Sequence, residues 1–323
     1  MNPAPSSLDA RTVPGQSEIN NQKTTILSRL ARNRVVVVCA AVLGIVILAS
    51  MVGPPLTGYG YEQTSDEQFA PPCARHLFGT DLHGRDVLTR VLHGGRISLA
   101  VGLIGTLVSL VVGVTWGMVA GYRGGQTDMA MMRFVVVLYS LPRLVFVIVL
   151  VTALDPPARA VLGGLGFEKL AGNTRILLLF VGLGVVSWLT MARIVRGQVL
   201  ALKEQAFVLA ARALGAGGWR ILGRHLLPNL WGIVIIYLTL TIPVVILEES
   251  LLSFLGLGIQ APQSSWGSLI SDGAAAINPI RIYWWLLVFP GSVMAATLLA
   301  LNLLGDQLRD LLDPRTVRRS ALS

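Results

Sequence analysis

Apolar residues fall into six long runs: Val35–Val52, Ile97–Ala120, Phe134–Leu154, Ile176–Ala192, Leu230–Leu247 and Trp284–Leu304. The segments between them hold most of the charge. The first run has 18 residues, about 27 Å of helix, close to one hydrocarbon thickness. A bilayer core offers no water to backbone groups, so each run is predicted to be a helix rather than an open strand. The first run follows a polar lead-in of 34 residues and exceeds the core of a signal peptide, so it reads as an uncleaved span.

Composition supports that reading. The chain has 323 residues, 53% of them hydrophobic and 13% charged, with a mean hydropathy of +0.67. A soluble domain carries about 25% charge. The net charge of +9 invites a nucleic-acid partner, but its placement argues otherwise. With the N-terminus inside, the inner segments hold 17 Lys and Arg and the outer segments 8, leaving Arg143 within the third run. Basic residues concentrate on the cytoplasmic side of spans, so both termini are expected in the cytoplasm and no nucleic acid is needed. The chain then divides into a cytoplasmic tail at 1–34, a first transmembrane helix at 35–57 and an extracytoplasmic segment at 58–96. A core at 97–304 follows, with an inner loop at 193–229, and a cytoplasmic tail at 305–323 ends the chain. A cysteine placed near Ser265 is expected to react from outside, and one near Gly217 only after permeabilisation. Cys39 lies inside a run and Cys73 outside one, which argues against a disulfide between them.

The longest inner loop contains "EQAFVLAARALGAGGWRILGRHLLPN", Glu204 to Asn229. Phe207, Ala210, Ala211 and Leu214 recur at helical spacing, predicting an amphipathic helix of about three turns. Gly215 can supply the left-handed position that ends it. A second short helix is expected from Gly218 to just before Pro228. Such a hairpin is shaped either to dock into a partner or to lie on lipid headgroups.

"LAARALGAGGWRILGRHLLPN" resembles the loop signature of integral-membrane permeases of bacterial ABC importers, through Leu209, Ala210, Ala211, Gly215, Leu227 and Pro228. "HLFGTDLHGRDVLTRVLHGGRISL" (76–99), "ESLLSFLGLGIQAPQSSWGSLI" (249–270) and "LNLLGDQLRDLLDPR" (301–315) resemble the C-type permease of dipeptide, oligopeptide and nickel importers. The resemblance implies an all-α membrane protein with the type I importer permease fold in spans two to six. It implies a transport cycle of alternating access, with the hairpin coupling to two cytoplasmic ATPase subunits. It also implies a homologous B-type permease and an extracytoplasmic substrate-binding protein as partners. ATP and magnesium would be bound by the ATPases, and no cofactor by this chain. One position departs from the signature: Leu209 stands where the family has Glu. Two residues beyond Phe207, it lies about 200° round the helix, opposite the apolar stripe. Apolar packing is expected there in place of a salt bridge.

Individual residues leave alternatives open. Gly113, Gly117 and Gly121 recur every four residues, a spacing that lets helices approach closely. Arg143 follows Pro142, ten residues into the third run, and an ionised group at that depth needs a wet cavity or a partner. It either meets a peptide carboxylate in the pathway or, by preference, pairs with an acid elsewhere in the complex. The acid that the resemblance expects in this span is Val136 here. Glu248 and Glu249 either are solvated at the outer surface or line the outer vestibule, and only Glu249 matches the family pattern. His76, His83 and His93 have no ligand-pair spacing, so no metal site is expected. Asp81, Gly84, Arg85 and Asp86 read as a loop fixing the entry to the second span. Asp306, Arg309, Asp310 and Asp313 read as the charged exit of the last.

Enzyme motifs fail on inspection. No Gly-rich run precedes a lysine to cradle phosphate, and neither a His-Glu-x-x-His nor a Gly-x-Ser-x-Gly is present. Peptide import is the expected function, with import of nickel or another small solute as the alternative. The rival of another class is an ion-coupled secondary transporter, and few intramembrane carboxylates are present to run it.

Overall fold

The computed structural model describes residues 33–312 apart from 260, 262, 279 and 280. The expectations for residues 1–32 and for Asp313 and Pro314 lie outside the described residues. Helices dominate, and the only bridge of strand type among the described residues joins Thr80 to Asp86. Among the described residues, six helices are long and apolar enough to cross a membrane.

The first, α1 (Arg34–Leu56), begins where the Asn33 side chain accepts the Val35 N–H. Its side chains are mostly exposed, as lipid contact requires. The second, α2 (Val87–Arg123), has 37 residues, about 55 Å of helix. It starts ten residues before the apolar run does, because Asp86 caps it by accepting the Thr89 N–H at 2.8 Å.

The third apolar run is not one helix. It divides into α3 (Gly125–Tyr139) and α4 (Arg143–Gly164), and the span long enough to cross is α4. Pro142 is the reason: it lacks an N–H, and its ring pushes the preceding residue out of helical geometry. Arg143 therefore opens a helix rather than sitting ten residues inside one.

A short α5 (Glu168–Gly172) leads into α6 (Thr174–Leu202). Helices α2 and α6 form the central pair. A Cβ at Gly117 would stand 2.5 Å from the Ala192 carbonyl oxygen, and one at Gly113 2.6 Å from the Met191 Cβ. Gly121 and Gly184 are equally close to the facing helix. In lipid, where apolar surface alone does not drive helices together, contact at this range is what small residues supply.

The interrupted stretch folds as α7 (Ala206–Ala213), α8 (Gly218–Ile221) and one π-helical turn (Leu222–Leu226). The turn runs straight into α9 (Leu227–Phe254). Pro228 was expected to stop a helix, yet Gly218–Phe254 is continuous. The π turn widens the hydrogen-bond spacing, with the Leu227 N–H bonding to the Leu222 carbonyl, and Pro228 then falls in the first turn of α9, where its missing donor costs nothing.

Beyond α9, α10 (Trp266–Ala275) is a short buried helix with reciprocal Ser265 and Ser268 capping bonds, and α11 (Trp285–Leu312) is the last span. Residues 58–86 form a structured cap against these two. Phe69 stacks on Tyr283 and Phe78 on Phe289, and the Trp285 indole donates to the Thr80 carbonyl at 3.2 Å. The cap and the hairpin thus lie at opposite ends of the bundle.

Ser265 is 0% exposed and makes a poor labelling site, whereas Cys73 on the cap is exposed and Cys39 is buried. Cys73 in the native protein is expected to react with a membrane-impermeant maleimide added outside intact cells. In a Cys73→Ser background, Gly217→Cys should react only after permeabilisation. Labelling of both from the same side would contradict the fold, and the reverse pattern would invert the orientation.

Candidate functional site

At the hairpin end, sequence periodicity chose the wrong face. The buried side chains of α7 are Val208 and Ala211, while Phe207, Leu209, Ala210 and Leu214 are exposed. Arg212 is the one charged residue of the eight, and it sets the apolar side toward Phe207 and Ala210, away from the side that is buried. The helix is also nearer two turns than three. The choice is made by its neighbours: Val208, Ile221, Leu222 and Leu226 join one core with Val195 and Val199 of α6 and Met118 of α2. The hairpin is therefore seated on the bundle rather than lying free on headgroups.

Gly215 takes φ +80° and ends α7 as expected. The Ala216 N–H bonds to the Ala211 carbonyl and the Gly215 N–H to the Arg212 carbonyl, both at 3.0 Å, which closes a Schellman turn. The turn leaves large apolar side chains exposed between Arg212 and Arg220. Leu214 is 88% and Trp219 75% exposed, with Leu209 beside them. Leu227 is half-buried and Pro228 exposed at the base of α9. Trp219 escaped the sequence reading because nothing local says which way a lone aromatic points.

Midway along the bundle, the break between α3 and α4 gathers polar groups. The Arg143 guanidinium lies 3.1 Å from a Glu248 carboxylate oxygen and donates to the Ser187 hydroxyl at 3.1 Å. The partner of Arg143 is thus on its own chain, in place of the acid expected elsewhere in the complex. Tyr139, the last residue of α3, carries the Arg193 guanidinium 3.8 Å above its ring. Val136, the position where the resemblance expects an acid, is exposed nearby. Toward the hairpin, Arg196 grips Asp128 with two donors and ties α6 to α3.

Glu249 behaves unlike its neighbour. It is 0% exposed, so it is neither solvated nor facing a vestibule. The Ser253 hydroxyl donates to it at 2.6 Å, and Ser98, Ser250 and Ser265 surround it. These serines come from α2, from α9 and from the cap residue of α10, so Glu249 joins the three helices. Helical spacing does not tell it from Glu248; only its match to the family pattern did.

At the cap end, Asp81 accepts from the backbone N–H groups of His83 and Arg85 and from the side chains of Arg85 and Arg90. Arg90 reaches on to Asp272 of α10 at 3.3 Å. A cavity of about 550 Å³ opens beside this network, with Phe69, Leu269 and Leu286 among its apolar lining. The three histidines are scattered: His76 pairs with Asp86, His83 lines the cavity, and His93 stacks on Tyr61. Among the described residues no group of three potential metal ligands assembles.

Comparison with known proteins follows the same outline. The family model described as "binding-protein-dependent transport system inner membrane component" matches residues 113–318. One described as "N-terminal TM domain of oligopeptide transport permease C" matches residues 24–72. The chain is 44% identical to the dipeptide transport system permease protein DppC of Bacillus subtilis, over 90% of this chain and 85% of the relative. It is 43% identical to the oligopeptide transport system permease protein OppC of Haemophilus influenzae, over 89% and 86%. For OppC of Escherichia coli the identity is 44%, over 89% of each chain.

The Asp81 network carries a testable pH dependence. Burial pushes the Asp81 carboxyl up, but the Arg90 charge, the Arg85 backbone N–H and the Arg85 charge together outweigh it and hold it below the ordinary carboxylate value. A lowered folded pKa means that its stabilisation is complete above the unfolded value and is lost as pH falls through the folded one. Limited proteolysis of residues 58–86 should therefore find the native cap resistant at neutral pH and cleavable only in strong acid. Asp81→Asn leaves the buried Arg90 with only the more exposed Asp272 as its acid, and should be cleaved at neutral pH. Equal resistance in the two proteins would mean that the stacked aromatics hold the cap alone.

Proposed function

The chain belongs to the binding-protein-dependent transport family of inner-membrane components, with the type I ABC importer permease fold, and from that membership we propose how its geometry serves transport. The chain is the permease subunit of an ATP-driven peptide importer, as its dipeptide and oligopeptide relatives are named. It forms half of the pathway in a bacterial cytoplasmic membrane, with both termini inside. A homologous permease forms the other half, two ATPase subunits sit below, and a substrate-binding protein delivers from outside. ATP and magnesium belong to the ATPases, and this chain hydrolyses nothing.

One observation carries the coupling role: the hairpin is packed on its inner side and leaves large apolar side chains exposed among arginines on its outer side. Its inner side is part of the α2–α6 core through Val208, Ile221 and Leu226, and its tip leaves Leu209, Leu214 and Trp219 in the open. A cleft on the ATPase that covers the tip gains the burial of these side chains, about 1.5–3 kcal/mol for each of the larger ones. Because the inner side is packed rather than tethered, displacement of the tip must carry α6 and α9 with it. Closure of the ATPases on ATP then reopens the pathway outward. The half-buried Arg143–Glu248 pair lies on a face of α4 that otherwise meets lipid or a partner, and it is assigned here to the pathway wall.

Two substitutions test the coupling. At Gly215 a Cβ would meet nothing within 4 Å, so the strain of Gly215→Val is purely that of its φ of +80°, which turns a β-branched residue left-handed. The cost is on the order of 1–2 kcal/mol, and the tip is misaimed. Leu209→Asp places a carboxylate in a contact expected to be apolar. Both variants should reach the membrane in normal amounts, yet substrate-stimulated ATP hydrolysis and peptide uptake should fall together. If Leu209→Asp binds the ATPase as well as the native chain does, a basic partner has persisted there and apolar replacement is wrong. Uptake in proteoliposomes should need ATP and survive collapse of ion gradients. Uptake driven by a gradient without ATP would instead select the secondary transporter.

A further inference from the structure

The charges at the break between α3 and α4 do not balance. Arg143 and Glu248 neutralise each other at 3.1 Å. Arg193 is left with Tyr139, its guanidinium 3.8 Å from the ring centroid and hydrogen-bonded to the phenol, and among the described residues no carboxylate lies within ion-pair distance of it. Arg193, Tyr139 and Glu248 sit on three different helices, and Arg143, at the start of α4, pairs with Glu248 and acts electrostatically on Tyr139. Arg193 and Tyr139 are exposed, and Arg143 keeps 39% of its side chain open. The neighbouring exposed side chains Val136, Leu141 and Val145 are apolar. A surplus guanidinium inside a span is costly unless a water-filled path or an anion meets it.

A planar guanidinium lying on an aromatic ring keeps its remaining edge donors free, and those donors fit a carboxylate with two parallel bonds. The nearby Arg143–Glu248 pair can be exchanged without net charge. A zwitterion offers its carboxylate to the arginines and its ammonium to Glu248, so one internal ion pair becomes two external ones. Peptides with both termini free are zwitterions of this kind.

We propose that Arg193, laid on Tyr139, together with Arg143, forms a binding site for the C-terminal carboxylate of a peptide in transit, making this face selective for peptides with free C-termini. The proposal rests on the reading of the chain as a peptide permease whose α3–α4 break faces the pathway. Neither arginine acts covalently; both hold and orient.

The test uses the complete complex of both permeases, both ATPases and the binding protein in proteoliposomes. Uptake of dialanine is compared with uptake of its C-terminal amide, in the native complex and in Arg193→Gln and Arg193→Lys. The binding protein's own preference is common to all three, so it cancels from the change in the ratio of the two rates. Arg193→Gln should lower that ratio by about tenfold, the scale of one lost charge-assisted bond, and Arg193→Lys should restore most of it. An unchanged ratio, even with both rates reduced, overturns the carboxylate site while leaving the pathway reading in place. If Arg193→Gln fails to co-purify with the second permease, Arg193 pairs with a carboxylate of that subunit and the proposal is wrong. If the native complex imports neither peptide, the peptide-permease reading itself fails.

Discussion

Close contact between α2 and α6 is the constraint on which everything else in this chain depends. Lipid tails solvate apolar side chains as well as another helix does, so the pair must be held by short-range packing. Gly113, Gly117 and Gly121 on α2 and Gly184 on α6 remove the Cβ atoms that would keep the backbones apart. The result is a stiff two-helix mast. At one end it carries the hairpin through Val195 and Val199, at its middle it presents Ser187 to Arg143, and at the other it begins at the Asp86 cap.

Around that mast, proline sets the irregularities and charge occupies them. Pro142 breaks the third run, and the break exposes a place where arginine can stand within a span. Pro228 is absorbed instead, because a π turn moves the carbonyl ladder out of register one turn earlier. The same residue type thus gives a break in one helix and continuity in another, and the difference lies in what precedes it. At the break the chain gathers Arg143, Glu248, Ser187, Tyr139 and Arg193 from four helices. At the continuous junction it obtains a rod from the hairpin to the buried Glu249. A rod of this kind can carry displacement from the hairpin end to the serine-lined joint with α10.

The cap is the polar counterpart of the mast. Residues 58–86 are fixed by the fan of donors on Asp81 and by aromatic stacking of Phe69 and Phe78 against Tyr283 and α11. Arg90 links the fan to α10 through Asp272. Motion of α10 relative to α2 must therefore strain or break this bond, so an ion pair acts beside the apolar packing at the cap end of the bundle.

The number of spans, their helical nature, the small-residue stripe and the turn at Gly215 were all determined by the sequence alone. Each is a local property: run length against bilayer thickness, backbone self-satisfaction in lipid, and the absence of a Cβ. Motif resemblance added the family. What only the tertiary structure decided is which side of each element meets protein. On α7, Val208 rather than Phe207 turned inward because the α6 core was there to receive it. Of two adjacent glutamates, Glu248 found Arg143 and Glu249 found serines, since a step of one residue rotates a helix by about 100° into a different neighbourhood. Arg193 looked like one more inner positive charge until Tyr139 was brought beneath it from another helix. Pairing across helices depends on distances that no periodicity encodes, and so it became visible only when the spans were packed.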